Sequence, residues 1–351
     1  MSARPPREAL FFEPASDDAS TSVRCFLCGQ RCVIKDGQTG VCQVRENQGG
    51  TLRLLAYGRL LAMTPDPIEK KPLAHFQPGT FSLSIASAGC NLQCRWCQNH
   101  HMAQRVRRGG GIGGRYVPPE AVVAAALEEG CASISYTYSE PTIHYEHNRD
   151  VGVLARAKGL KNVFVTNGMM TTDAVVDAAS AFLDAANVDL KAMRAETYKK
   201  HCKAGPRGLE TVQDAIATLH EHGVWVEVTT LVIPGLNDSE AELRDAARFL
   251  ASVSVDIPWH LSRYHPDNEW DARATPIDTL RLAREIGLEE GLHYVYTGNV
   301  WGDDGEHTYC PGCGTVAIRR RGFSSSPVGL LRDGTGTCAH CGEQIAGVEM
   351  P

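Results

Sequence analysis

The sequence predicts an α/β fold built from parallel βαβ units, and three observations point to it. Short β-rich runs alternate with helix-like stretches over roughly 220 residues, the spacing expected when each crossover is a helix. Conspicuous polar residues stand at the C-terminal ends of those runs. The composition, 43% hydrophobic and 22% charged, can fill a large core. Alternation alone leaves open whether the sheet is doubly wound or curls into a complete or partial barrel.

The β-rich runs are "FSLSIASA" (81–88), "CASISYTY" (131–138), "NVFVT" (162–166), "ANVDL" (186–190), "VWVEVTTLVI" (224–233), "IPWHLS" (257–262) and "HYVYT" (293–297). Between them, "PPEAVVAAALEEG" (118–130) opens with Pro and Glu and closes with Gly, the order that suits a helix start and stop. "DSEAELRDAARFLAS" (238–252) opens with a capping-box pattern.

Cys90, Cys94 and Cys97 follow the first run, "YSEP" (138–141) the second, "TNG" (166–168) the third, and Asp189 and Lys191 the fourth. "IPGLND" (233–238) follows the fifth, and His260 and Arg263 the sixth. In a barrel those ends share one rim, so residues far apart in sequence would meet in one pocket.

With 351 residues, the chain exceeds one ordinary domain, so a core of about 200 to 250 residues with small appendages is expected. The net charge of -6 argues against a general nucleic-acid binder, and the basic run "RVRRGGGIGGR" (105–115) reads as a solvated loop. No apolar run approaches a membrane span, and the N-terminus lacks a signal-peptide core, so a cytoplasmic location is expected.

Eleven of the thirteen cysteines fall into three groups, which in a reducing compartment suggests metal rather than disulfides. Cys131 and Cys202 stand alone and read as ordinary thiols. Three thiolates in the loop 90–97 suit an iron-sulfur cluster with one iron left without a protein ligand. A zinc site would recruit a fourth ligand, such as His100 or His101; the position after a strand favours iron. Cys310, Cys313, Cys338 and Cys341 form two C-x2-C knuckles and read as a zinc ribbon, with an auxiliary cluster as the rival. Cys25, Cys28, Cys32 and Cys42 could also close a four-thiolate site, read here as zinc first and an auxiliary iron-sulfur cluster second.

The C-x3-C-x2-C loop with Trp96 before its last cysteine resembles the signature of radical S-adenosylmethionine (SAM) enzymes. "CQN" (97–99), "TNG", "DLK" (189–191), "VIPGLND" and "PWHLSRYHP" (258–266) are similar to the pyruvate formate-lyase activating enzyme branch. "CFLCGQRC", "GQTGVCQVREN", "DPIEKKPLAHFQPG" (66–79) and the C-terminal C-x2-C pairs resemble, within it, the AmmeMemoRadiSam system radical SAM enzyme.

The resemblance implies a partial (β/α)6 barrel over residues 80–300. It would be preceded by a tail (1–24) and a four-cysteine metal-binding module with linker (25–79), and followed by a zinc-ribbon-like module (301–351). It implies a [4Fe-4S] cluster on Cys90, Cys94 and Cys97, SAM chelated at the open iron, and zinc. Asn99, Glu140, Thr166, Asp189, Lys191 and His260 match residues around SAM. Tyr138 and Ser139 replace two glycines of the family motif, and Val165 stands where an Asp is common.

One electron would cleave SAM to methionine and a 5′-deoxyadenosyl radical, which takes hydrogen from a protein or peptide partner. A small-molecule substrate is the alternative reading, and a non-catalytic metal-bearing scaffold the third. Reduced flavodoxin or ferredoxin is the implied donor, and AMMECR1-like and MEMO-like proteins the implied neighbours.

Overall fold

The structure, a computed structural model, describes residues 6–15 and 21–351. Its centre is one eight-stranded sheet: β1 (Ala62–Pro67), β2 (Phe81–Ala86), β3 (Ser133–Tyr136), β4 (Lys161–Thr166), β5 (Ala185–Asp189), β6 (Trp225–Val232), β7 (Trp259–Arg263) and β8 (Val295–Gly298). Neighbours in the sheet follow chain order without reversal. Every pair from β2 to β8 is parallel, and only β1 runs antiparallel, on the free edge of β2.

That order decides between the two architectures. A doubly wound sheet reverses its strand order at a switch point, whereas one-directional winding keeps all crossovers on one face and curls the sheet. The chain is therefore an open, partial barrel. Its seven parallel strands are the seven runs read from the sequence; the antiparallel β1 lies in the segment read as a linker.

Six helices link the parallel strands: α1 (Pro119–Glu128), α2 (Tyr145–Ala157), α3 (Thr172–Ala181), α4 (Gly208–Glu221), α5 (Glu240–Val253) and α6 (Ile277–Glu289). In α5 the buried Leu243, Ala246, Ala247 and Leu250 recur at helical spacing, so one stripe faces the sheet. Ser239 caps it, accepting from the Glu242 N–H at 3.3 Å. The reciprocal half of the capping box is absent, because the Glu242 carboxylate accepts from Met193 N at 2.9 Å and pairs with Arg194 at 3.0 Å.

Two smaller units flank the barrel. At the N-terminal end, Arg7–Glu8, Thr51–Leu54 and Arg45–Gln48 form one sheet, and Phe12–Pro14, Val23–Cys25 and Val33–Ile34 another. Arg45, 1% exposed, fastens this unit to α2 through two bonds to Glu146 at 2.6 and 2.7 Å, and to the turn before α2 through Ile143 O at 3.2 Å. A buried pair stays ionised only when its hydrogen bonds are met in this way. At the C-terminal end, Thr308–Tyr309, Val316–Arg321 and Ser324–Ser326 make a small antiparallel sheet. It packs with Tyr294, Tyr296 and Ala74 in a second core. No helix of the described residues is long and apolar enough to cross a membrane.

Candidate active site

The strand register builds the site. Asp189 pairs with Thr229, Thr229 with His260, and His260 with Tyr296, so four neighbouring strands place these residues in one row. In a β-sheet such partners point to the same face. Here that face is the inside of the barrel, where a cavity of about 570 Å³ opens. Cys90, Cys94, Cys97, Asn99, Glu140, Thr166, Asp189, Lys191 and His260 all line it. The volume is in the range of small-molecule sites.

Around Cys90 the loop after β4 supplies donors. Asn167 Nδ2 lies 3.5 Å from Cys90 Sγ and 2.8 Å from Asn91 Oδ1, and Leu92 N lies 3.3 Å from the same sulfur. Burial pushes the Cys90 thiol well up and raises Cys97 to about 12. The Cys202 thiol beside Cys94 holds Cys94 below its ordinary value.

Cys202, read as an isolated thiol, is thus a neighbour of the loop, brought there by a π-helical turn at Tyr198–Cys202. Its carbonyl accepts from Gln93 N at 2.7 Å, and His201 O accepts from Arg95 N at 3.2 Å. Three thiols on one cavity, with N–H groups directed at one sulfur, fit an iron-sulfur cluster. The zinc alternative fares worse. Neither His100 nor His101 lines the cavity, and neither joins the three thiols in a compact ligand set among the described residues.

Glu140 is held by hydrogen bonds within the chain. Oε1 accepts from Thr142 N (3.0 Å), Thr142 Oγ1 (2.6 Å) and Thr166 Oγ1 (2.6 Å), and Oε2 from Asn167 N (2.8 Å). A carboxylate has about four acceptor positions, so this chain occupies them itself. Burial nevertheless pushes the Glu140 carboxyl up. Glu140 holds Thr166 and Asn167 in place, which in turn positions the donor on Cys90.

Lys191 Nζ lies 2.8 Å from Asp189 Oδ2. Burial alone would lower its ammonium, but Asp189 and the nearby Cys94 and Cys202 thiols hold it well above the usual value. It stays charged in the cavity wall. His260 Nε2 lies 2.6 Å from Glu227 Oε2 and its ring stacks on Tyr296 at 5.1 Å, leaving Nδ1 as its free nitrogen. Asn99 precedes the short helix His100–Ala103 without a side-chain capping bond.

Sequence reasoning missed several participants. Glu227 sits inside the apolar run "VWVEVTT", where a lone carboxylate signals an inward partner. Tyr138, one of the two residues standing in place of glycine, has a left-handed conformation, φ 64°, that glycine adopts most easily. Its hydroxyl donates to Asp66, which also accepts from Lys70 (2.7 Å), Lys71 (2.8 Å) and Ser84 (2.7 Å). Trp301, Arg320 and Phe323 reach the cavity from the C-terminal unit.

Other readings fall away from the site. The "IPGLND" loop does not line the cavity; Asn237 instead ties the Lys191 carbonyl at 2.8 Å. Arg263 turns to Thr275 O at 2.9 Å.

The C-terminal cysteines converge. Their four sulfurs lie within 4.8 Å of one another, with Cys310–Cys341 at 3.6 Å and Cys313–Cys338 at 3.8 Å. Four thiolates at about 2.3 Å from one tetrahedral ion stand about 3.8 Å apart. The spacing fits a single metal ion.

A barrel with three cysteines at the end of its first parallel strand, opening on an internal cavity, defines a radical SAM protein. Residues 84–250 match the Radical SAM superfamily, and the chain belongs to that superfamily. It is 42% identical over 341 residues to the uncharacterized protein MJ0808 of Methanocaldococcus jannaschii, covering 97% of this chain and 98% of that one. It is 30% identical over 171 residues to GTP 3′,8-cyclase of Rhodopirellula baltica, covering 48% and 46%. Among solved structures, a radical SAM methyltransferase from Sphaerobacter thermophilus aligns with TM-score 0.49 and 18% identity, covering 63% and 67%. A domain of pyruvate-formate lyase-activating enzyme from Bacteroides vulgatus aligns with TM-score 0.42 and 19% identity, covering 48% and 99%.

Proposed function

We propose that this radical SAM enzyme takes hydrogen from a protein or peptide partner, with Cys90, Cys94 and Cys97 holding the [4Fe-4S] cluster. The cluster, when bound, supplies the electron that splits SAM into methionine and a 5′-deoxyadenosyl radical. The chain's own residues bind and orient. Lys191, charged and facing the cavity, suits the SAM carboxylate, and Asp189 or the free Asn99 amide suits its amino or ribose groups. The Nδ1 of His260 suits a ribose or carboxylate oxygen. Glu140 acts one step back, through Thr166 and Asn167. The sheet and the C-terminal unit, which wall the cavity, would keep water from the radical's path.

The observation that supports a macromolecular partner is the rim. Trp301 is 78% exposed and Phe323 48%, and the two rings stand 6.4 Å apart at the cavity mouth. Large exposed aromatics beside an opening mark a surface that another molecule covers. The C-terminal four-cysteine set, with zinc bound, would hold that rim in shape, and a reduced flavodoxin or ferredoxin would deliver the electron.

The test is anaerobic incubation with SAM, a reductant and candidate polypeptides. The expected result is polypeptide-dependent 5′-deoxyadenosine with a mass change or deuterium transfer in the polypeptide. Turnover that responds only to small metabolites contradicts the proposal.

A further inference from the structure

The N-terminal cysteines are arranged unlike the C-terminal four. Cys25, Cys28, Cys32 and Cys42 come from a β-hairpin and two turns and line one small apolar cavity. Cys25, Cys28 and Cys42 are buried, and Cys32 is partly exposed. Among the described residues, the C-terminal four are the only set of ligand atoms gathered within 4.8 Å. The N-terminal sulfurs are not gathered to that degree; they line the wall of a small cavity, as the three thiols of the 90–97 loop line the larger one. One tetrahedral ion draws its thiolates together, whereas a four-iron core occupies the space between them. A methyl group on Gly40 would stand 3.4 Å from Cys32 Sγ and 3.2 Å from Ile34, so the wall admits little extra bulk there. This reverses the order of the sequence reading, in which zinc came first.

The cavity also adjoins the active site. Asn91, the residue after Cys90, is part of its wall. Gln30, between Cys28 and Cys32, donates to Asn91 O at 2.7 Å, and Asn167 joins the Asn91 side chain to Cys90 Sγ. Arg107 feels both Cys42 and Cys90 and donates to Val41 O at 2.6 Å. Val33 and Val41, beside Cys32, are 58% and 36% exposed at the surface.

We infer that Cys25, Cys28, Cys32 and Cys42 hold a second [4Fe-4S] cluster that relays electrons from the surface at Cys32 to the cluster at Cys90. Four protein thiolates close its coordination, so it binds no substrate. One electron leaves a reduced one-electron protein carrier, which is oxidised; the N-terminal cluster accepts it and returns to its oxidised state on reducing the SAM-binding cluster. No bond forms or breaks at the relay. The relay role rests on the radical SAM reading; the presence of the second cluster does not.

Metal analysis of the anaerobically prepared full chain decides the cluster. The expected content is about eight iron and about eight sulfide, with about one zinc. The variant lacking Cys90, Cys94 and Cys97 (all →Ala) should keep about four iron and, on reduction, an electron paramagnetic resonance (EPR) signal indifferent to SAM. An iron-free triple variant, with or without a second zinc, overturns the second cluster. Iron that persists there, with no SAM-responsive signal in the native chain, would sink the SAM reading and leave this one standing.

The relay is tested in Cys25→Ser/Cys42→Ser, with the SAM-induced EPR change of the remaining cluster as proof of folding. Cleavage of SAM driven by reduced flavodoxin should fall about tenfold or more, while cleavage driven by dithionite stays within about twofold. Equal loss with both reductants, or loss with neither, overturns the relay.

Discussion

His260 and Glu227 form a pair 2.6 Å apart whose carboxylate is shared by four donors. Besides His260 Nε2, Glu227 accepts from Ala74 N and His75 N, each at 2.8 Å, and Trp225 Nε1 at 3.0 Å. Burial would raise this carboxyl, but His260 and these donors hold it below its usual range. His260 is thereby fixed in the cavity wall by the same residue that anchors the 72–77 segment. Glu227→Ala leaves several buried donors unpaired and should cost roughly 3 to 5 kcal/mol of stability. Denaturant unfolding checks this, and an unchanged midpoint contradicts it.

Lys191→Ala and His260→Ala should each weaken SAM binding by about 1.5 to 3 kcal/mol, the worth of a charge-assisted hydrogen bond. Equilibrium binding of SAM to the anaerobic protein measures the loss. Unchanged affinity in both variants removes them from the site.

Glu140→Gln replaces an acceptor of four bonds by a group with a single acceptor oxygen. The expected result is a loosened Thr166–Asn167 turn, with a stability loss of about 1 to 3 kcal/mol and lower iron retention, because the Asn167 donor on Cys90 is displaced. A variant that keeps both stability and iron contradicts the positioning role.

His75 makes stability sensitive to acid. It is completely buried, between Ala346 O at 2.6 Å and Tyr296 Oη at 2.5 Å, and burial lowers its imidazole to about 4. The unfolded chain binds the proton near pH 6.5, so between about 6.5 and 4 the unfolded state holds more protons. Its contribution is complete above that window and is lost as pH falls through it, by roughly 3 kcal/mol. Thermal melting from pH 7 to 4.5 should show the C-terminal unit loosening first, and His75→Phe should reduce the slope, leaving the share of the buried His144 and His147, which burial also lowers. An equally steep slope in the variant contradicts the assignment.

Much of this was legible in the sequence because it depends on local pattern. The seven parallel strands follow from β-rich runs, and the cavity residues from polar groups at strand ends. What was hidden depends on register and packing. Glu227 lies on the same face as Thr229, the strand partner of His260, and meets His260 only once β6 and β7 are aligned. Tyr138 holds a glycine conformation because Asp66, from the antiparallel edge strand, takes its hydroxyl. The rim formed by Trp301 and Phe323 depends on the C-terminal unit folding back over the barrel through Phe76 and Val348. Sequence spacing gave the number of cysteines in each group, whereas the separation of their sulfurs is a three-dimensional property.

Three thiolates would leave one iron open to SAM, and EPR of the reduced protein with and without SAM addresses this most directly. The expected result is a cluster signal that SAM alters and that disappears with Cys94→Ala, together with 5′-deoxyadenosine release by the native chain. A native signal unaffected by SAM, or SAM cleavage that survives Cys94→Ala, would contradict it.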